Sequence, residues 1–232
     1  GDVWIDTSTM QSGAGSWRIQ YDSQATNCRN SPGDGTVVSI RYSFTSSDQL
    51  YVRFWWRFNS DWVGSGQTYH PHLFFVFVEL WANLAGGPLR VYVEVSALLL
   101  RFIVGRGGVE DWRDTTYEFT QGNWSKVELW MQMNTVGQSD GILSAWVDGT
   151  SVFSASDMTY RTSADYHYGA IAVAPWIGDG SPQSQRMWMD ELLVATKIPV
   201  LENTSSINGY SCGVSSKFLG TNIIGLSKIM GN

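Results

Sequence analysis

Tyr51, Arg53, Trp55 and Arg57 alternate with Leu50, Val52, Phe54, Trp56 and Phe58. An extended chain sends successive side chains to opposite faces, so the apolar set predicts a buried face and the aromatic and arginine set an outer one. Sugars present C–H patches that stack on aromatic rings, and hydroxyls or carboxylates that accept planar guanidinium donors, so the outer set is chemistry suited to carbohydrate. Two further stretches carry the same bias. Arg90, Tyr92 and Glu94 alternate with Leu89, Val91, Val93 and Val95, and Lys126, Glu128, Trp130 and Gln132 alternate with Val127, Leu129, Met131 and Met133. As neighbours on one sheet the three would form a continuous ligand face. For any one strand the plainer reading is a solvated outer face crossed by ion pairs.

The three histidines fall in two places. His70 and His72, in Gln67-Thr-Tyr-His-Pro-His72, are spaced to sit on one side of an extended segment, where they can bind a metal, act as a general base or neutralise a carboxylate. No third ligand and no cysteine-rich or His-Glu zinc motif accompanies them, so no metal is assigned and no cofactor is required; a structural calcium ion is compatible with the sequence. The third lies in Asp165-Tyr-His-Tyr168, which offers proton-transfer groups or, equally, a loop aromatic cluster. Hydrolysis of a glycosidic bond needs paired carboxylates, for which Glu94 and Glu128 are candidates. The Glu-x-Asp-x-x-Glu strand pattern is absent, and so are a Gly-x-Ser-x-Gly elbow, a P-loop and a dinucleotide fingerprint.

Strands must position these groups, because the dominant period is two and the segments are short, separated by Gly, Asp, Asn and Ser. The expected strands are Thr36–Phe44, Gln49–Phe58, Leu73–Trp81, Leu89–Val95, Leu99–Val104, Ser125–Asn134, Gly141–Asp148, Ala170–Ala174 and Arg186–Ala195. Asp148-Gly149 between apolar residues predicts a tight hairpin turn, and Ser154–Tyr160 is the single segment expected to be a short helix. The fold class that follows is all-β, an antiparallel β-sandwich over residues 1–200, with an appended C-terminal tail over residues 201–232. That tail carries Ile223, Ile224, Leu226, Ile229 and Met230 at irregular spacing, and is expected either to dock on its own sandwich or to join copies into a homo-oligomer.

In 232 residues there are 12 Trp but only 16% charged residues, enough apolar surface for one large core with some left for a ligand. A net charge of −6 lacks the basic footprint of a nucleic-acid binder. No apolar run approaches the roughly 20 residues that span a bilayer, so no membrane association is expected. Gly1 opens the chain without Met or a signal-peptide pattern, as a processed end would. Cys28 and Cys212, near opposite ends, suit either a disulfide closing a long loop or two free thiols.

The runs Gln49–Trp62, Gly122–Asn134, Asp140–Gly149 and Trp188–Thr196 together resemble the strand pattern of concanavalin A-like polysaccharide lyases and their lectin-like relatives, over about 150 residues. This resemblance implies a jelly-roll form of the sandwich. It also implies a lyase chemistry in which a basic or amide side chain neutralises a uronate carboxylate, a Tyr or His removes the C5 proton, and a Tyr protonates the leaving oxygen. Arg53, His70, His72, Tyr92 and Tyr168 are the residues available for these parts. The ending Ile223–Asn232 also resembles short tails on some phage and environmental surface proteins. Three functions are therefore expected in order: polysaccharide binding outside the cell or on a particle surface, with Tyr51, Arg53, Trp55, Arg57, Arg90, Glu94, Lys126, Glu128 and Trp130 as the binding set; a lyase cleaving uronic-acid polymers; and a self-assembling or virion surface subunit.

Overall fold

The computed structural model describes residues 2–21, 40–64, 72–78, 90–96, 98–106, 109–176, 181–199 and 224–225. Their strands are β1 (Asp2–Asp6), β2 (Ser16–Tyr21), β3 (Ile40–Ser47), β4 (Gln49–Phe58), β5 (His72–Val78), β6 (Arg90–Ser96), β7 (Leu99–Arg106), β8 (Val109–Glu118), β9 (Trp124–Gln132), β10 (Gly141–Val147), β11 (Thr150–Met158), β12 (Tyr168–Trp176), β13 (Gln185–Ala195) and β14 (Ile224–Gly225). They form two antiparallel sheets. The larger runs β1-β2-β13-β4-β9-β10-β11, with β14 also on β13, and the six-stranded sheet runs β3-β12-β5-β6-β7-β8.

The two-residue period places the core between the sheets. Leu50, Val52, Phe54, Trp56 and Phe58 of β4 and Val127, Leu129 and Met131 of β9 are fully buried, as their alternation predicts. Facing them are Leu100, Phe102 and Val104 of β7 and Ile171 of β12, in the same apolar cluster. Phe102 meets Phe153 of β11 across the gap at 5.4 Å between ring centroids. At one end Phe58 packs on Trp56, Trp62 and Phe119 at 4.8, 5.0 and 5.3 Å, tilted pairs worth about 1 kcal/mol each beyond area burial.

The Asp148-Gly149 turn forms as predicted: both residues have positive φ, 51° and 82°, and Val147 pairs with Thr150. Ser154–Tyr160 is not a helix. Its first five residues belong to β11, the edge strand of the larger sheet, which pairs with β10 through two register shifts. Residues 36–39 of the first expected strand, and both cysteines, lie outside the described residues. So does the tail apart from β14, in which Ile224 pairs with Val194 and Gly225 with Leu193.

Candidate functional site

On the outer face of the larger sheet, the β4–β9 register sets Tyr51 opposite Trp130, Arg53 opposite Glu128 and Trp55 opposite Lys126. Two of the three strands expected to share a face therefore do. Much of that face is closed by its own contacts. Tyr51 is 5% exposed, packs with Leu193, Ala195 and Trp130, and donates its hydroxyl hydrogen to Glu128 Oε1 at 2.5 Å. It is thus out of reach of a sugar. Lys126 Nζ lies 2.9 Å from Glu128 Oε2. Burial raises the Glu128 pKa, but the hydrogen bonds from Tyr51 and Lys126 and the Lys126 and Arg53 charges outweigh it and hold the carboxyl below its usual range. Arg57 lies over the buried Trp188 ring at 5.4 Å, and Trp55 Nε1 donates to Glu191 Oε2 at 3.1 Å.

A cleft of about 420 Å³ opens at a break in the β13 ladder. The register slips between Asp190, opposite Trp55, and Leu193, opposite Arg53, and Glu191 takes a φ of 49°. A non-glycine residue in that region is strained and must be held by its surroundings. The loop between β1 and β2 does so: the Gln11 and Ser12 amides donate to Asp190 Oδ2 at 2.8 and 3.2 Å, and the Ser12 hydroxyl donates to Glu191 Oε1. Trp17, Met189, Leu192, Leu193 and Arg53 contribute to the cleft walls. The Arg53 Nε is buried without a hydrogen-bond partner.

Arg90, Tyr92 and Glu94 do not join this face, because β6 belongs to the six-stranded sheet. Strands β5 to β8 pair each with the next in chain order and keep the chain within one sheet. Arg53 and Tyr92 therefore lie on opposite layers, and Glu94 and Glu128 do not flank one bond as a hydrolytic pair. Within the six-stranded sheet, Glu94 stands opposite both His72 and Arg101, and Arg101 opposite Asp114; two positions along, Tyr92 stands opposite Phe75 and Ile103, and Ile103 opposite Trp112. Leu100, Phe102 and Val104 point into the core, so the alternate position, Arg101, lies on the outer face. Its Nε donates to Asp114 Oδ1 at 2.6 Å, and its guanidinium lies 4.8 Å from the centroid of Trp112, a ring that is 42% exposed.

Of the five residues considered for catalysis, His72 and Tyr92 are on adjacent strands of one sheet. Arg53 is on the other sheet, and His70 lies outside the described residues. Tyr168 is in the core, edge-on to Tyr160 at 5.9 Å, and burial raises its pKa well above the ordinary value. A phenol in that position reaches no polymer. His167 instead sits at the surface with Nδ1 2.5 Å from Asp48 Oδ1, which also pairs with Arg161 at 2.9 Å.

Residues 109–188, from the start of β8 into β13, match the family model described as polysaccharide lyase 14. No curated protein sequence matches the chain. Among solved structures, the endo-β-1,4-glucuronan lyase from the fungus Trichoderma reesei superposes with a TM-score of 0.62 at 15% identity, over 84% of this chain and 87% of that one. The marine PL-14 alginate lyase from Aplysia kurodai gives 0.63 at 14%, over 84% and 87%. Alginate lyase Aly36B, in a complex with alginate trisaccharide, gives 0.59 at 17%, over 78% and 82%. The fold is an antiparallel jelly roll that superposes on those of these polysaccharide lyases.

In this jelly roll the backbone register of β5, β6 and β7 brings the positions of His72, Arg90, Tyr92, Glu94 and Arg101 close together on the six-stranded sheet. Neighbouring strands lie about 4.8 Å apart, so three strands span roughly 10 Å, enough for about two sugar rings. Arg101 is the member that sequence reasoning passed over. Its signal was present: a lone charge between Leu100 and Phe102 in an otherwise apolar run. Among the described residues no group of three or more His, Cys, Asp or Glu is placed to hold a metal ion.

Proposed function

We propose that the protein is a polysaccharide lyase that cleaves uronic-acid polymers by β-elimination on the outer face of the six-stranded sheet. The observation that carries this reading is the register of β5, β6 and β7, which sets His72, Glu94 and Arg101 in one row with Tyr92 two positions along β6. The match to the lyase family model and the named activities of the structural neighbours support it, and they reverse the order expected from the sequence, which put binding ahead of cleavage.

The chemistry needs three services. An arginine, Arg101 or Arg90, pairs with the uronate carboxylate and makes the adjacent C5 proton more acidic. His72 or Tyr92 removes that proton; the electron pair forms the C4–C5 double bond as the C4–O glycosidic bond breaks, and a tyrosine hydroxyl, that of Tyr92, returns a proton to the leaving oxygen. No water is consumed. Such polymers are met outside the cell or on a particle surface, and that is where we place the protein.

Incubation with a panel of uronic-acid polymers, followed by the ultraviolet absorbance of the conjugated product, tests the reading: at least one polymer should give a steady rise. A second reading, binding without cleavage, is favoured by the Arg101–Asp114 ion pair, which already occupies one candidate for carboxylate neutralisation. Binding across the panel with no unsaturated product would establish that reading instead.

A further inference from the structure

We propose that the cleft beside Arg53, on the sheet opposite the catalytic face, is an accessory binding site for the carboxylate of a uronate sugar. Among the described residues, Arg53 is the charged group at this cleft that makes no hydrogen bond and no close ion pair: its charge acts on Glu128 only at longer range, and its Nε is shielded from solvent. Glu128, its opposite in register, is engaged by the Tyr51 hydroxyl and the Lys126 ammonium. The acids at the cleft are engaged too. Asp190 Oδ1 accepts from the Glu191 amide at 2.8 Å and Oδ2 from Gln11 and Ser12, while Glu191 accepts from the Ser12 hydroxyl and the Trp55 indole. The unmet demand is for an anion, and burying a polar group unmatched costs about 1–3 kcal/mol, so a ligand that supplies the match binds preferentially.

The walls indicate what carries the anion. Trp17, Met189 and Leu193 give an apolar surface beside the guanidinium, and the cavity of about 420 Å³ falls within the roughly 300–1,000 Å³ range of small-molecule sites. A pyranose with a carboxylate fits that combination, its C–H face against the apolar wall and its acid on Arg53. The strained Glu191 and the loop folded onto it hold the cleft open at a fixed place on the sheet. The choice of a uronate rests on the proposed lyase activity. A polymer held here and on the opposite face is held at two points, which raises its effective concentration at the catalytic face.

The test is titration of the full chain with methyl glucuronide, which has no bond for elimination to cleave, beside the uncharged methyl glucoside. The reporter is the NMR signal of the Trp55 indole N–H, which is bonded to Glu191 at the cleft. The glucuronide should shift it saturably and the glucoside should not. Arg53→Gln should weaken the glucuronide titration at least about tenfold, the loss expected of a charge-assisted pair. Arg53→Lys keeps the charge but lacks the planar fork and should bind with intermediate affinity, which covers the case of an unstable Gln variant. Equal shifts with both sugars, no shift with either, or an Arg53 variant that titrates like the parent overturns the site. Because the readout needs no cleavage, absence of unsaturated product would end the lyase reading and leave this result standing, and loss of Arg53 dependence with product still formed would end this proposal alone.

Discussion

Tyr51 and Glu128 are joined diagonally across β4 and β9, hydroxyl to carboxylate at 2.5 Å, on a face where Tyr51 is buried and Glu128 is partly open. The bond ties the aromatic run of one strand to the charged run of the next. Because it stabilises the ionised Glu128, its contribution is complete above the unfolded carboxyl value near 4.3 and is lost as pH falls through the lower folded value. Tyr51→Phe should therefore raise the Glu128 pKa and lower stability at neutral pH by about 1 kcal/mol. Carboxyl-detected NMR titration and urea unfolding at pH 7 check the two parts separately.

Asp6 gives a second acid-sensitive contact, from β1 across β2 to β13. Burial works against its charge, but hydrogen bonds from Ser8, Trp188 and Thr9 outweigh that and hold its pKa at about 2. Its Oδ2 takes the buried Trp188 indole hydrogen at 2.9 Å and lies 3.7 Å from Arg18. With the folded value depressed, stability is present above about pH 4 and declines as pH falls towards 2. Allowing for solvent screening at the sheet edge, the contribution is about 1 kcal/mol. In Asp6→Asn the part of the acid unfolding profile between those limits should flatten relative to the parent.

Asn134 closes one end of the sandwich. Fully buried, it accepts from the Tyr160 and Arg161 amides at 2.8 Å through Oδ1 and donates from Nδ2 to the carbonyls of Thr135, Gln138 and Arg161. Asn134→Ala would leave buried amides and carbonyls unmatched, and should cost about 2–4 kcal/mol in chemical unfolding. A cost under 1 kcal/mol would mean that water replaces the side chain there.

The strands that alternate large apolar with polar residues were legible in the sequence, β4 and β9 above all. β8 was not, because its inward positions are Asp111, Arg113, Thr115 and Tyr117, and Arg113 is held by Asp111 and Asp157 rather than by apolar packing. At the edge of a sheet such an inner face is tolerated, and the period-two signal disappears. β11 was misread because its Ser and Ala residues mark no face strongly. For the site, alternation told which side of each strand Arg53 and Tyr92 occupy but not which sheet each strand joins. That assignment is a matter of long-range pairing, and it separates two similar-looking polar runs by the thickness of the core. Tyr168 shows the same limit: nothing local distinguishes a surface tyrosine from one turned onto Tyr160 in the core.

The six-stranded face makes the sharpest kinetic prediction, since its candidates have separable parts. His72 and Tyr92 sit on neighbouring strands, with Glu94 opposite His72 and Arg101 opposite Glu94. If Tyr92 transfers the proton, Tyr92→Phe should reduce kcat by at least about 100-fold with little change in KM, because a phenyl ring keeps the shape and loses only the transferable hydrogen. His72→Ala should either match that loss, marking it as the base, or leave kcat within a few-fold and pass that part to Tyr92. Arg101→Gln should raise KM as well as lower kcat, because the carboxylate is held in both ground and transition states. Tyr168→Phe, by contrast, should leave both constants near those of the parent, since that ring lies inside the core. Steady-state rates of these four variants on one responsive polymer decide the assignment; a normal kcat in both Tyr92→Phe and His72→Ala would remove the chemistry from this face.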